Sequence, residues 1–269
     1  MKERIDINRI LKNKNPNLEK WMPRFIIHYL KRILHQDEIN RVLHDTRKLK
    51  NFKFCEALIK QFNLKFRSKG LENIPKDRGV IFVINHPLGG FDALGLVQEI
   101  STVRSDIKFM VNDVLLNFNN VEDFMVGVNK HGAKTKESVQ QLNELFASDK
   151  GVCIFPAGLV SRKINGVVMD SEWKKTCIVK ARKFKRDIVP VHITGELSNF
   201  FYGLSTWRKK IGIKANIEMM YLANETFKLK NKTFKITVGE PISYKTFTKN
   251  KTDLAWAAEV KTMVYNLNG

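Results

Sequence analysis

The chain has 269 residues, of which 43% are hydrophobic, and this composition excludes intrinsic disorder because it supplies enough apolar surface for a core. It carries 47 Lys and Arg against 27 Asp and Glu, a formal net charge of +20. This excess of positive charge indicates an anionic partner, such as lipid headgroups, phosphates, nucleic acid or an acidic carrier protein, without choosing among them.

The cysteine residues and the apolar runs indicate the cellular environment of the protein and its relation to membranes. Cys55, Cys153 and Cys177 are too few and too scattered for a disulfide framework or a zinc site, which predicts a reducing, cytosolic environment. The first residues, MKERIDINRILKNKNPN, are polar and charged, unlike a signal peptide. No apolar run approaches the roughly 18 residues that a membrane-spanning helix needs. We therefore expect a soluble protein or one that lies on a membrane surface.

Residues 18–62 carry a helical pattern. In WMPRFIIHYLKRIL the apolar positions recur every three or four residues, and basic side chains occupy the other side. The pattern predicts an N-terminal helical segment over residues 1–63. This segment is either a subdomain packed on the rest of the chain or an interfacial element whose apolar face enters lipid.

From Leu64 onward, predicted strands alternate with predicted helices. Continuous apolar runs such as VIFVI and VCIF are typical of strands covered on both faces. Residues 64–269 are therefore predicted to form an α/β domain with a largely parallel central sheet flanked by helices. The predicted strands are 79–85, 106–111, 151–155, 187–193, 216–222 and 233–238, and the predicted helices are 93–100, 134–147, 172–183 and 253–266.

The segment INHPLGGFD follows the apolar run GVIFVI, at the strand end where open α/β sheets bind ligands. Gly89 and Gly90 permit a tight turn, and Asp92 falls in the first turn of the next helix, close to His86. A histidine oriented by a carboxylate acts as a general base, because the carboxylate fixes the tautomer and stabilises the imidazolium. The alternative is a structural turn in which Asp92 only caps the helix.

A second apolar run, GVCIFPAGLVSR, ends in Pro and Gly followed by Ser161 and Arg162, and it favours the functional interpretation. It adds a cation and backbone amides at the end of another strand. The chain has no serine nucleophile elbow, and no further His, Asp or Glu lies near His86 at metal-ligand spacing. We therefore expect His86 to take its proton from a bound substrate, for instance an alcohol that attacks an acyl group.

These segments resemble the glycerolipid acyltransferase superfamily, which includes glycerol-3-phosphate and lysophosphatidic acid acyltransferases. The first family block is Asn-His, four residues and Asp; NHPLGGFD has five residues between, a form similar to a hemolysin-like or ornithine-lipid-type bacterial subgroup. FPAGLVSR resembles the third block, Phe-Pro-Glu-Gly-Thr-Arg-Ser-Arg, with Ala157 replacing Glu and Val160 replacing the first Arg. IVPVHITG around Pro190 resembles the fourth block, and GVNKHG resembles the second loosely, with Lys130 as its basic residue.

The resemblance implies an O-acyltransferase of membrane lipid synthesis. It moves a fatty acyl group from acyl carrier protein or coenzyme A to the hydroxyl of a lyso-lipid, either a lysophospholipid or an N-acyl amino-acid lipid. His86 becomes the general base and Asp92 its orienting partner, and no metal or tightly bound cofactor is implied. Substrate binding is predicted for Asn85, Gly89, Gly90, Lys130, Phe155, Pro156, Gly158, Ser161 and Arg162.

The predicted location is cytoplasmic, on the inner face of the cytoplasmic membrane, with an anionic membrane surface as a partner. A different class of function also fits the charge: a non-catalytic basic protein that binds anionic membranes or polyanions. Nucleic acid is not expected, because the basic residues are spread along the chain and no aromatic-basic recognition motif occurs. The acceptor, the acyl donor and the oligomeric state stay open.

Overall fold

The structure is a computed structural model that describes residues 4–14, 22–111, 119–127 and 136–268. In this part of the chain the helices are α1 (Ile7–Lys14), α2 (Arg24–Ile33), α3 (Gln36–Asp45), α4 (Asn51–Gln61), α5 (Gly90–Ile100), α6 (Lys136–Ala147), α7 (Thr176–Phe184), α8 (Asn199–Lys210), α9 (Leu222–Lys228) and α10 (Asp253–Asn266). The strands are β1 (Lys65–Lys69), β2 (Val80–Ile84), β3 (Lys108–Val111), β4 (Met125–Gly127), β5 (Gly151–Ile154), β6 (Arg162–Ile164), β7 (Val167–Met169), β8 (Asp187–Ile193) and β9 (Thr233–Val238).

The chain forms two compact units. One combines the residues up to Leu49 with Leu197–Lys230, and the other combines Lys50–Glu196 with the residues from Asn231 onward. This division differs from the predicted boundary after residue 63. The difference arises because α4 packs on α5 in the second unit, whereas the later segment Leu197–Lys230 groups with the N-terminal helices.

The second unit contains a seven-stranded sheet in the order β1-β9-β8-β2-β5-β3-β4. Strands β8 and β9 pair antiparallel, and the other neighbouring strands of this sheet pair parallel. The predicted α/β class with a largely parallel central sheet is confirmed. Strand β2 lies between β8 and β5, so its carboxyl end, where His86 follows, is at the middle of the sheet.

Burial on both faces explains why the central strands read as continuous apolar runs. Every residue of β2 is fully buried. Helices α7 and α10 contribute Ile178, Trp256 and Val260 to a core on Ile81 and Val83 of β2. Helix α5 packs toward β1, where a Cβ on Gly95 would lie 2.4 Å from the Phe66 ring, so this contact requires glycine.

The predicted strand over residues 216–222 is wrong. The structure has a 3₁₀ helix over Ile217–Tyr221 that leads into α9. Glu218 is fully buried there and accepts hydrogen bonds from Arg208 of α8, and this tertiary ion pair outweighs the short strand-like pattern. The edge strand β1 and the β6–β7 hairpin were not predicted; β1 buries only Phe66, so its alternation is weak.

The first unit packs its N-terminal helices on a small apolar core of Ile7, Leu30 and Ile33. Ser198 caps α8 by accepting a hydrogen bond from the Phe201 amide at 3.3 Å. Helices α1 to α4 lie within residues 1–63, the predicted N-terminal segment. Among the described residues, no helix combines the length and apolar composition that crossing a bilayer requires.

A buried arginine joins the loops at the amino ends of the central strands. Arg104 donates hydrogen bonds to the carbonyls of Pro75, Arg78 and Asp149 at 2.7–2.9 Å, and its guanidinium also binds Asp106. Pro75 and Arg78 precede β2, and Asp149 precedes β5. One planar side chain therefore satisfies several backbone acceptors at the sheet edge opposite the carboxyl ends.

We expect Arg104→Ala to lower the free energy of unfolding by about 3 kcal/mol or more, because three carbonyls lose a charged donor. Urea denaturation followed by tryptophan fluorescence measures this change. Arg78→Ala is the matched control: Arg78 pairs with Asp187 but is 59% exposed, so we expect a change below about 1 kcal/mol. Equal losses in the two variants would contradict this account of the loops.

Candidate active site

The site begins where β2 ends, and Asn85 fixes the direction of the chain there. Its side-chain Nδ2 donates to the Ile193 carbonyl at 2.8 Å, and its Oδ1 accepts from the Ile193 amide at 2.7 Å. The buried amide thus links the end of β2 to the end of β8. The structure gives Asn85 this structural role, and its contact with substrate stays a prediction.

His86 is held on four sides. Its ring Nδ1 lies 2.8 Å from Asp92 Oδ2, and its ring stacks on Phe155 with the centroids 4.2 Å apart. Its backbone N–H donates to Asp170 at 3.2 Å, and its carbonyl accepts from the Ser161 amide at 2.8 Å. Both the backbone and the ring of His86 are therefore fixed before any substrate binds.

The remaining ring nitrogen, Nε2, is the open atom of this arrangement. Within the described residues it has no hydrogen-bond partner, and the His86 side chain is 19% exposed. The Nδ1–H tautomer follows from the carboxylate beside Nδ1, which leaves the Nε2 lone pair available to accept a proton. A substrate hydroxyl that reaches Nε2 has a base already oriented toward it.

Asp92 is fully buried, and this burial shapes its electrostatics. Besides His86, its carboxylate accepts from the Leu88 amide at 3.0 Å. Burial raises the pKa of Asp92 to about 6, while the hydrogen bond and charge of His86 and the Leu88 amide oppose this rise. Because Asp92 is shielded from solvent, the electrostatic interaction between its carboxylate and His86 is little screened.

The glycine turn directs the chain from β2 into α5. Gly89 has φ +69° and ψ −129°, a conformation that residues with a Cβ rarely adopt, and it immediately precedes α5. Gly90 is exposed, and a Cβ placed on it would meet no atom within 4 Å. The turn thus leaves open space beside the first amides of the helix.

The second predicted segment forms the loop after β5, and the structure brings it to His86. Phe155 stacks on the imidazole, and its carbonyl accepts from the Gly158 amide at 3.0 Å in a tight turn. Pro156 is buried, with its carbonyl bound by the Lys174 amide, whereas Gly158 is exposed. Phe155 therefore supports the imidazole of His86, and Gly158 forms part of a tight turn in the loop.

Ser161 and Arg162 are more buried than the sequence suggested. The buried Ser161 hydroxyl donates to Asp170 at 2.6 Å, and its contact with substrate stays a prediction. Arg162 is 5% exposed, and its guanidinium donates to the carbonyls of Val160 and Ser161. Lys130, predicted to bind the acceptor, lies outside the described residues.

Asp170 is the site residue that sequence reasoning missed. It follows the β6–β7 hairpin, and its carboxylate binds both His86 and Ser161. The sequence feature that could have indicated Asp170 is the position of the segment DSEW, directly after the hairpin that follows FPAGLVSR. Because that hairpin was not predicted, nothing in the linear pattern placed Asp170 next to His86.

Comparison with known proteins decides the family. A family model described as acyltransferase matches residues 9–264.

The chain belongs to the acyltransferase family.

Two curated relatives of this acyltransferase cover nearly its whole length. The lyso-glycine lipid O-acyltransferase of Bacteroides thetaiotaomicron is 44% identical over 264 residues, which cover 98% of this chain and 97% of the relative. The protein of the same name from Phocaeicola vulgatus is 42% identical and covers 98% of this chain and 95% of the relative. The crystal structure of a 1-acyl-sn-glycerophosphate acyltransferase from Thermotoga maritima matches with a TM-score of 0.49 at 19% identity, covering 91% of this chain and 93% of that one.

Membership of the acyltransferase family confirms the predicted resemblance and supports an enzyme rather than the non-catalytic alternative. The structure also shows where the two residues that differ from the third family block lie. Ala157 and Val160 are both buried, so the acyltransferase has apolar side chains where the family pattern has Glu and Arg. Buried apolar side chains thus replace the Glu and the first Arg of that block, and Arg162 is retained.

We expect Asp92→Asn to separate stability from activity. The amide keeps the shape of the carboxyl group but cannot stabilise an imidazolium, so acyl transfer should fall about 10²- to 10⁴-fold. Because the pKa of Asp92 is raised in the folded chain, the free energy of unfolding falls as pH rises from about 4 to above about 6. The variant lacks this loss, so its urea midpoint at about pH 8 should equal or exceed that of the wild type.

Activity assays and urea titrations on the same preparations test this prediction. Wild-type activity in Asp92→Asn contradicts the orienting role. A variant that loses both activity and much stability shows instead that Asp92 is needed for folding.

Proposed function

We propose that this acyltransferase moves a fatty acyl group from an acyl carrier protein or coenzyme A thioester to the hydroxyl of a lyso-glycine lipid. The observation that carries the proposal is the His86–Asp92 pair, with Nδ1 on a buried carboxylate and Nε2 open. The relatives at 44% and 42% identity, both named lyso-glycine lipid O-acyltransferase, support the choice of acceptor.

The proposed reaction is a direct transfer between the two substrates. The acceptor hydroxyl attacks the thioester carbonyl while Nε2 of His86 removes its proton, forming a new C–O bond and a tetrahedral oxyanion. Asp92 stabilises the resulting imidazolium through Nδ1–H. As the intermediate collapses, the C–S bond breaks and the imidazolium returns the proton to the thiolate. The ester and the free thiol leave, so the step as written uses only the two substrates.

The amides at the start of α5 suit the developing oxyanion. Gly89 and Gly90 lie directly after the His86 turn, and the space beside Gly90 is open. Backbone N–H groups at a helix start carry partial positive charge, which stabilises negative charge on the attacked oxygen. We propose that this turn holds the thioester carbonyl.

The apolar third block supports an amino-acid lipid as the acceptor. A lyso-glycine lipid carries a carboxylate head and no phosphate, and this chain has buried Ala157 and Val160 where the family pattern has charged residues. Exposed Leu159, Ile164 and Val167 follow the same loop and offer apolar surface to acyl chains. Binding of the anionic head by Arg162 and Lys130 stays a prediction.

A direct assay uses radiolabelled acyl thioester with a panel of lyso-glycine lipid, lyso-ornithine lipid and lysophosphatidic acid. Each acceptor is tested with acyl-acyl carrier protein and with acyl-coenzyme A. We expect the highest turnover with lyso-glycine lipid. His86→Ala and the near-isosteric His86→Gln should both lose about 10²- to 10⁴-fold, because neither side chain is a base.

Two outcomes oppose different parts of the proposal. If His86→Ala transfers acyl groups at the wild-type rate, the general-base mechanism is wrong. If lysophosphatidic acid is the best acceptor, the mechanism stands and the assignment of the acceptor fails.

A second part of the proposal concerns the membrane. We propose that the first unit rests on an anionic membrane surface through an aromatic face, formed by Phe25, Tyr29, Phe200, Trp207 and Tyr221. The Tyr29 and Tyr221 hydroxyls lie 2.7 Å apart, and the Phe200 ring packs edge-on against Tyr221 at 5.0 Å. Phe25 is 74% exposed and Trp207 is 53% exposed. Exposed aromatic groups of this kind mark an interaction surface.

Basic residues accompany the aromatic face. Arg24 and His28 are exposed on α2, and Lys209 and Lys210 are exposed at the end of α8. Lys228 lies 6.0 Å from the Phe200 ring. Aromatic groups beside cations suit the interface of an anionic bilayer, where the rings enter the headgroup region and the cations contact the lipids.

Vesicle sedimentation tests this surface. The combined change Phe25→Ser and Trp207→Ser should weaken binding to anionic vesicles about tenfold or more, because both rings lose their burial in lipid. Phe52→Ser removes a ring that is 44% exposed on α4, outside the aromatic face, and it should bind like the wild type. Equal binding by the two variants contradicts the proposed surface.

A further inference from the structure

Asp170 connects three segments of the chain through one carboxylate. Its Oδ1 accepts from the His86 amide at 3.2 Å and from the Ser161 hydroxyl at 2.6 Å, and its Oδ2 accepts from the Trp173 indole N–H at 2.8 Å. The residue is fully buried. It cannot touch a substrate, so any effect on the reaction passes through the groups that it binds.

The contacts of Asp170 complete a closed set of hydrogen bonds among the His86 backbone, Ser161 and Asp170. The His86 amide and the Ser161 hydroxyl meet on the same oxygen of Asp170, while the Ser161 amide donates to the His86 carbonyl at 2.8 Å. The turn after β2 and the loop after β5 are thereby fixed to each other. Phe155, which stacks on the imidazole, belongs to that second loop. Displacing Asp170 frees the backbone of His86 and loosens the loop that supports its ring.

Helix α10 holds Asp170 from the other side. The Asp170 amide donates to the Tyr265 hydroxyl at 2.7 Å, and the Lys261 ammonium donates to the Asp170 carbonyl at 2.6 Å and to the Ser171 carbonyl at 3.2 Å. His192 of β8 packs against the Tyr265 ring. Among the titratable groups of these elements, Lys261 and Tyr265 contact the backbone of Asp170, and His192 packs on the Tyr265 ring.

We propose that Asp170 is a positioning residue for acyl transfer, which fixes the His86 backbone against the loop of Phe155 and places a second negative charge behind the His86–Asp92 pair. The inference rests on the proposed function, because it assigns Asp170 a role toward the same base. It goes beyond that function by adding a residue that lies outside the two segments carrying His86, Asp92 and FPAGLVSR.

The charge of Asp170 distinguishes this role from a purely structural one. A neutral amide at this position still accepts from the His86 amide and the Ser161 hydroxyl but carries no charge, and a buried carboxylate costs more free energy than a neutral group. Repulsion from Asp170 adds to burial in holding the pKa of Asp92 above its ordinary value. Loss of that repulsion lowers the pKa of Asp92, so its carboxylate stays ionised to lower pH. The acid limb, which is the low-pH side of the pH–activity profile, therefore moves to lower pH.

The test compares Asp170→Asn with Trp173→Phe over a pH series, with turnover measured as thiol release on the best acceptor of the panel. Asp170→Asn removes the charge and sets an amide N–H against the Trp173 indole. Trp173→Phe removes the same indole hydrogen bond but keeps the charge. We expect Asp170→Asn to lose about tenfold or more in kcat with little change in KM, and its acid limb to shift to lower pH. Trp173→Phe should lower the thermal midpoint and leave the acid limb in place.

Several outcomes overturn the inference. The first is a kcat equal to that of the wild type, with an unchanged acid limb, in Asp170→Asn. The second is an equal loss of kcat in Asp170→Asn and Trp173→Phe with unchanged acid limbs, which indicates that Asp170 only supports the fold. If Asp170→Asn does not fold, Lys261→Met provides the second variant: it removes the cation that faces Asp170, so the limb should move to higher pH, and an unmoved limb contradicts the proposal. An inactive His86→Ala beside an unaffected Asp170→Asn refutes this inference and leaves the proposed function standing.

Discussion

The 2.8 Å hydrogen bond between His86 Nδ1 and the buried carboxylate of Asp92 is the interaction on which the rest of the site depends. It leaves Nε2 as the open atom of a fixed imidazole. A buried carboxylate is costly, and burial raises the pKa of Asp92 to about 6, against the opposing hydrogen bonds of His86 and the Leu88 amide. The sheet makes the arrangement possible, because a fully buried central strand delivers His86 to its carboxyl end in one defined position.

The protein fixes the backbone around His86 with polar side chains. The Asn85 side chain binds both backbone groups of Ile193, the Asp170 carboxylate accepts from the His86 amide, and the backbone amide of Ser161 donates to the His86 carbonyl. These bonds lie where regular strand pairing ends, so two side chains and one loop amide make the hydrogen bonds that the next residues of a strand would make. Their common effect is that the base is positioned by several loops rather than by its own turn alone.

The two units serve different parts of the proposed function. The sheet unit carries His86, Asp92 and the loop after β5, whereas the helical unit carries an exposed aromatic face beside basic residues. The proposed acceptor, a lipid of the bilayer, accounts for both features in one enzyme. The proposed membrane contact assigns part of the net charge of +20 to the basic residues beside the aromatic face.

The sequence by itself determined the α/β class, the turn after β2 and the pairing of His86 with Asp92, because apolar runs and residues six apart in one turn are local properties. Only the tertiary structure decided the remaining features. Asp170 lies 84 positions from His86, and Asn85 lies 108 positions from Ile193, so no local pattern records that these groups meet. The same reason explains the error at 216–222, where the buried pairing of Glu218 with Arg208 selects a 3₁₀ helix over a strand. Contacts between distant residues are set by how strands and loops stack, and that information exists only in the folded chain.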